Sequence, residues 1–204
     1  MEEFRGITRK ALNFVFVAAL PMMMYFMLFA RQGILLLSGE GYEPAVSAMQ
    51  IIMPTLLFIG LSNILGIQIL VPMGKEKVVL WSLILGAVVD VIINVALIPR
   101  FGAAGAAAGT MVAEFAVLAY QFVVLRKEVI SSFRRIGYWK LLLALAVATA
   151  ASTWVLQMSL SVFVTLVISA VLYFGCYGVM LLVLRESMTA ELLKQISGKL
   201  LKKK

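Results

Sequence analysis

The chain has 204 residues, of which 63% are apolar, with a formal net charge of +8, one cysteine and no histidine. That apolar share is far above the share in an ordinary soluble domain, and 204 residues leave no room for a separate soluble domain beside the apolar runs. The absence of histidine excludes His-based metal ligation and His acid–base chemistry, and the lone Cys176 excludes a disulfide within the chain.

A spanning helix needs about 20 predominantly apolar residues. Six runs reach that length, at roughly 11–37, 45–72, 78–98, 104–125, 139–158 and 161–184. The expected fold is all-α, an integral membrane helical bundle of six transmembrane helices over residues 1–184, followed by a basic tail over 185–204. The first run is too long for a signal h-region and has no Ala-x-Ala-like site after it, so it is expected to stay as an anchor. The charge does not read as a nucleic-acid surface. Threading six spans from a cytoplasmic amino end places Arg5, Arg9, Lys10, Lys75, Lys77, Arg126, Lys127, Arg134, Arg135, Lys140 and the six basic residues from Arg185 onward on one side. Only Arg100 falls in an outer loop, and Arg31 lies within a span. Such sorting follows the positive-inside rule and puts both termini in the cytoplasm.

In chain order, the first span holds Pro21 and the second Pro54, each deep enough to remove a backbone hydrogen bond and kink its helix. The outer loop Ser38-Gly-Glu-Gly-Tyr-Glu-Pro44 is acidic and turn-rich, and Glu43-Pro44 marks the start of the second span. Pro72-Met-Gly-Lys-Glu-Lys77 is a short basic inner hairpin. The third span ends in a turn at Pro99 to Gly102, and the fourth opens on Ala103-Ala-Gly-Ala-Ala-Ala-Gly109. So tight a connection makes the two helices antiparallel neighbours, with Gly105 and Gly109 on a close-packing face. The inner segment 126–140 mixes five basic residues with Tyr138 and Trp139, which suits the headgroup region. In the tail, Met188, Leu192, Leu193, Ile196, Leu200 and Leu201 fall near one helical face, the pattern of a basic amphipathic helix on the inner leaflet. The six spans contain no internal repeat.

Three ionisable residues lie within spans: Arg31, Asp90 and Glu114. Asp90 is about 12 residues from the inner end of its span and Glu114 about 10 from the outer end, so at ~1.5 Å per residue both are near the midplane. Intramembrane carboxyls are costly and lean toward function. Asp90 shares a face with Gly86 and Asn94. Glu114 shares one with Thr110 and Gln121, and Gly105, Gly109 and Ala113 point to a different side. One reading is that Asp90, Asn94, Thr110 and Glu114 border a hydrated cavity or a proton or cation relay. The other is that they hydrogen-bond helix to helix, at about 0.6 kcal/mol per contact. Arg31 is read as a contact for an anionic ligand, in preference to snorkelling toward the outer surface. Gln50, Asn63 and Gln68 of the second span read first as interhelical contacts. No Walker sequence, Gly-x-Ser-x-Gly or paired-carboxylate metal signature is present, so nothing points to an enzyme, a metal or a cofactor.

Taken together, Leu36-Leu-Ser-Gly-Glu-Gly-Tyr42, Pro72-Met-Gly-Lys-Glu-Lys77 and Leu97-Ile-Pro-Arg-Phe-Gly-Ala-Ala-Gly105 at these helix intervals resemble the C-terminal portion of bacterial polysaccharide flippases. These belong to the multidrug/oligosaccharidyl-lipid/polysaccharide exporter superfamily. The resemblance is best over about 12–127 and weaker to about 185. It implies a multi-pass protein of the bacterial cytoplasmic membrane that moves a lipid-linked oligosaccharide, usually on undecaprenyl diphosphate, to the outer leaflet for polysaccharide biosynthesis. Members have twelve to fourteen helices in two lobes around a cationic cavity. The chain looks like the last six helices, so the expected partners are membrane lipids, the lipid-linked substrate, and an N-terminal lobe or second chain that supplies the remaining cations. A drug or cation exporter of the same superfamily and a non-transporting membrane fragment are the alternatives.

The charge pattern yields a direct test of orientation. With Cys176→Ser as background, single cysteines at 40, 75 and 202 are exposed in intact cells to an impermeant thiol reagent. Position 40 is expected to label and 75 and 202 only after lysis; the reverse pattern would invert the topology.

Overall fold

The computed structural model describes residues 2–158, 160–186 and 189. Every regular element among them is helical, and six helices are long and apolar enough to cross a membrane. The basic tail expected as an amphipathic helix lies outside the described residues, apart from Arg185, Glu186 and Thr189. The chain forms two compact units, residues 1–135 and 136–204.

The first two spans of the first unit are broken, although not always where proline directs. Helix α1, Glu2–Leu28, runs through Pro21 without interruption. The break falls at Phe29 (φ −102°, ψ 21°), after which α2 covers Ala30–Ser38. At this break the Met27 carbonyl accepts a hydrogen bond from Gln50 Nε2 at 3.0 Å. A polar side chain of the second span thus serves a backbone group that the bilayer could not hydrate. In the second span, α3 (Pro44–Ile52) begins on the proline expected to start it, and Pro54 separates it from α4, Thr55–Asn63. There Leu56 N–H bonds to Met53 O rather than to Ile52 O, and the Thr55 hydroxyl donates to the freed Ile52 carbonyl at 2.6 Å. The span ends in a π-helical segment, Ile64–Leu70, closed by the five-residue bond from Val71 N–H to Gly66 O.

Helices α5 (Glu76–Phe101) and α6 (Ala103–Arg134) form the hairpin expected from the sequence, with a tighter connection. The helix continues through Pro99, whose missing N–H falls in the last turn, and Gly102 alone reverses the chain at φ 55°, ψ −126°. Its N–H bonds back to Ile98 O at 2.8 Å. A side chain would be strained at that φ, which is why glycine occupies the position.

Helix α6 is the axis of the unit, packing against α1, α3, α4, α5 and the π segment. Gly105, Gly109, Ala113, Val117, Gln121, Leu125 and Val129 are buried at strict four-residue steps. Such a row drifts by about 40° per step around a helix of 3.6 residues per turn, so one row of side chains serves different neighbours along the helix. The hydropathy run stops near 125, yet the helix goes on to Arg134, because Leu125, Val129 and Ser132 are still buried. The rings of Phe122 and Phe133 meet edge-on at 5.3 Å, whereas a straight helix would separate those residues by about 16 Å. The axis of α6 therefore bends between them, and Phe16 of α1 packs on Phe133 at 6.2 Å.

In the second unit, α7 (Tyr138–Thr153) and α8 (Val162–Val183) form another packed hairpin, with a 3-10 turn at Trp154–Gln157. Again the buried rows step by four: Ala144, Ala148 and Ser152 on α7, and Thr165, Ser169, Tyr173, Tyr177 and Leu181 on α8. Arg185 adopts φ 47° to end α8, Lys140 Nζ donates to its carbonyl at 3.1 Å, and the buried Glu186 accepts from Thr189 N–H at 3.0 Å.

The hairpin makes a sharp stability prediction. A Cβ on Gly105 would lie 2.7 Å from the backbone carbonyl of Leu97, while one on Gly175 of α8 would meet nothing within 4 Å. Gly105→Ala is expected to cost about 1–3 kcal/mol, and Gly175→Ala to be neutral or stabilising by up to about 1 kcal/mol. Melting in detergent measures both; equal melting temperatures would contradict the close backbone contact.

Candidate functional site: the groove between α5 and α6

The two helices meet along matched four-residue rows. Along the seam, α5 presents in order Ser82, Gly86, Asp90, Asn94 and Ile98, and α6 answers with Gln121, Val117, Ala113, Gly109 and Gly105. Small and large alternate across the seam. Val117 fills the space over Gly86, and Gly105 lies against the backbone at Leu97 and Ile98. Asn94 and Asp90 occupy the space that a side chain at Gly109 would take. Packing by small residues is how helices associate in lipid, where burial of apolar surface gives no drive.

Within this seam Asn94 Nδ2 donates to Asp90 Oδ2 at 2.9 Å. The other oxygens of the pair, Asp90 Oδ1 and Asn94 Oδ1, are buried and accept no hydrogen bond. Beside them opens a groove of about 230 Å³ lined by Leu83, Gly86, Ala87, Asp90, Thr110, Ala113, Glu114 and Val117. Two intramembrane carboxyls thus face one volume that also carries the Thr110 hydroxyl. One turn beyond Val117, Gln121 Nε2 donates to Ser82 Oγ at 2.9 Å, a buried pair, and the Gln121 amide lies against Gly66 of the π segment.

Helical spacing alone puts Thr110 and Glu114 on a different side of their helix from Gly105, Gly109 and Ala113. The buried Gly105, Gly109 and Ala113 and the half-buried Thr110 and Glu114 keep that difference, and Ala113, Thr110 and Glu114 nevertheless line the same groove. The reason is geometric, since adjacent residues are only about 100° apart and Asp90, which packs at Gly109, also lines the groove with Thr110 and Glu114. Arg31 lies elsewhere. It forms an exposed ion pair with Glu43 of the loop between the first two spans, at 3.2 Å with 67% and 61% of the side chains exposed. No basic side chain lines the groove. Gln50 bonds to the break in the first span, Asn63 Nδ2 bonds to Ile59 O of its own helix, and Gln68 is exposed on the π segment. Ser82, Gly66 and the pairing of Gln121 emerge only from the structure. The sequence signal for them is the four-residue step from Ser82 through Gly86 to Asp90. Among the described residues no three His, Cys, Asp or Glu side chains converge.

The arrangement defines a class: a multi-pass helical membrane protein with paired acidic side chains in an intramembrane groove. No protein-family model, curated protein or solved structure matches the chain.

The seam can be tested without a functional assay. Gly109→Ala is expected to destabilise the protein, and much less so when Asn94→Ala has removed the obstructing amide. The two sites should couple by about 0.5–3 kcal/mol in a double-mutant cycle of detergent unfolding. Additive effects would show that Asn94 does not fill the Gly109 notch.

Proposed function

We propose that the chain is one lobe of a transporter of the bacterial cytoplasmic membrane, with both ends in the cytoplasm, and that it serves the flipping of a lipid-linked oligosaccharide. The observation that carries the transport reading is the groove in which Asp90 and Glu114 face one volume near the middle of α5 and α6. A carboxylate there is costly in lipid, and a site that binds and releases a proton or cation gives it a use. The substrate class rests on the resemblance of the Leu97–Gly105 turn and its two companion motifs to polysaccharide flippases.

In this reading the α5–α6 hairpin is the coupling element. Asn94 holds one oxygen of Asp90, leaving the other free to exchange a proton or cation, and Glu114 sets the negative potential of the same groove. Arg31 is held by Glu43 in the outer loop, and a substrate diphosphate would have to displace that carboxylate to reach the guanidinium. A diphosphate needs several donors, so the proposal includes a partner lobe that provides them and against which this one rocks.

One observation favours a second reading. The groove is acidic and lined by no basic side chain, which suits a cationic substrate and a drug or cation exporter of the same superfamily. Co-expression with a matching N-terminal lobe in a flippase-null strain separates the two. Restored surface polysaccharide is expected with the partner and not without it, and Asp90→Asn should impair rescue more than Asn94→Ala. Rescue by the 204-residue chain alone would overturn the half-transporter reading, and full rescue by Asp90→Asn would reduce that residue to packing. Resistance to cationic dyes without polysaccharide export would favour the exporter.

A further inference from the structure

Three acceptor oxygens along the α5–α6 seam have no partner. Asp90 Oδ1 and Asn94 Oδ1 lie at the groove, and Gln121 Oε1 lies at the inner end of the seam. Gln121 is 2% exposed and its hydrogen-bond partner Ser82 is fully buried. A buried acceptor without a donor costs about 1–3 kcal/mol, and three in one row call for a common donor. Water fits, because a site needs only about 10–15 Å³ for one molecule together with several polar partners, and beside Asp90 the groove offers about 230 Å³. The row is interrupted once. Val117 is 5% exposed and lines the inner end of the groove. It sits in the notch that Gly86 leaves, with its Cβ 4.0 Å from where a Gly86 Cβ would be. One helical turn further along α6 stands Gln121, bonded to Ser82 of α5.

We propose that the seam is a water-access route to the groove carboxyls, with Val117 seated on Gly86 as its plug and the Ser82–Gln121 pair as its inner mouth. The inference rests on the reading of Asp90 and Glu114 as a proton or cation site and names the side from which they are reached. At rest the plug separates the groove from the buried Ser82–Gln121 pair. A shift of α5 against α6 by the width of one methyl group lets water pass from the groove to that pair, since Val117 is the side chain that fills the space at Gly86. Protons then pass between the carboxyls and water on the Gln121 side. Each proton that leaves Asp90 or Glu114 is taken up by a water oxygen of the file, and the carboxylate is reprotonated from the groove.

The test uses the full chain in proteoliposomes that enclose a pH-sensitive dye, under an imposed proton gradient. Val117→Ala is expected to raise proton flux severalfold over the unmodified protein. The rise should vanish when Asp90→Asn and Glu114→Gln are added, and separately when Gln121→Leu removes the inner mouth. Val112→Ala, on the exposed side of α6, is the control for general loosening and should leave the flux unchanged. Melting in detergent confirms that each variant is folded; should Val117→Ala not fold, Val117→Thr, which keeps the shape and adds a hydroxyl, takes its place with the same expectation. No rise in flux, or a rise that persists after both carboxyls are neutralised, would overturn the proposal. Neither result depends on which substrate the transporter carries, so failure here and failure of the flippase reading are distinguishable.

Discussion

Gly105 brings the backbone of α6 against the backbone of α5 at Leu97 and Ile98, and most of the first unit follows from that approach. In water such a contact would be one among many, supported by the burial of apolar side chains. In lipid that support is missing, and dispersion between closely packed atoms must hold the helices together. A single-residue connection at Gly102 fixes the height at which the helices meet. The four-residue rows then fix which residue faces which, from Ile98 over Gly105 at one end to Ser82 with Gln121 at the other. Because the row on α6 winds around its axis, the side that starts against α5 continues into Leu125 and Val129, and the later part of α6 packs on α1.

The polar groups of the site owe their positions to the same packing. Glycine at 109 leaves room for Asp90 and Asn94 between the helices, where a larger residue would expel them. Glycine at 86 admits Val117 and so leaves the groove with an apolar floor. Fixing an acid group between two backbones limits its rotamers and holds it near a second carboxyl, an arrangement that would not survive on a loose lipid-facing surface. The breaks at Phe29 and Met53–Pro54 obey the same constraint in another form. There the backbone groups released from the helical ladder are met by Gln50 and Thr55 side chains, since no water is available to them in the hydrocarbon.

Much of this architecture is legible in the amino-acid sequence. Apolar run length locates six spans to within a few residues at most ends, because the hydrocarbon thickness sets a minimum that composition must meet. The Gly and Ala steps after Phe101 announce a close antiparallel pair, and the positions of Asp90 and Glu114 put a carboxyl well inside each of the two helices. Three features are not legible there. Hydropathy falls at Arg126, yet α6 runs on to Arg134, since burial of Leu125, Val129 and Ser132 continues a helix that hydropathy alone would end. The first span breaks at Phe29 and passes through Pro21, because proline removes one bond while tertiary partners such as Gln50 decide where a discontinuity is tolerated. The two rows of α6 are separate on a helical wheel and yet border one groove, since the wheel carries no information about the reach of side chains from the neighbouring helix.

The account stands on the register of α5 against α6, and one cross-linking experiment reads it directly. The Cβ positions of 86 and 117 are 4.0 Å apart, inside the range of about 3.5–4.5 Å that a disulfide spans. In a Cys176→Ser background, Gly86→Cys with Val117→Cys is oxidised mildly in native membranes, and the linked peptides are identified by mass spectrometry after proteolysis. The register predicts a disulfide in this pair and none in Gly86→Cys with Phe115→Cys, whose side chain at 115 is exposed on another face of α6. A link in the second pair and none in the first would contradict the seam, and with it the placement of Asp90 and Glu114 in a common groove.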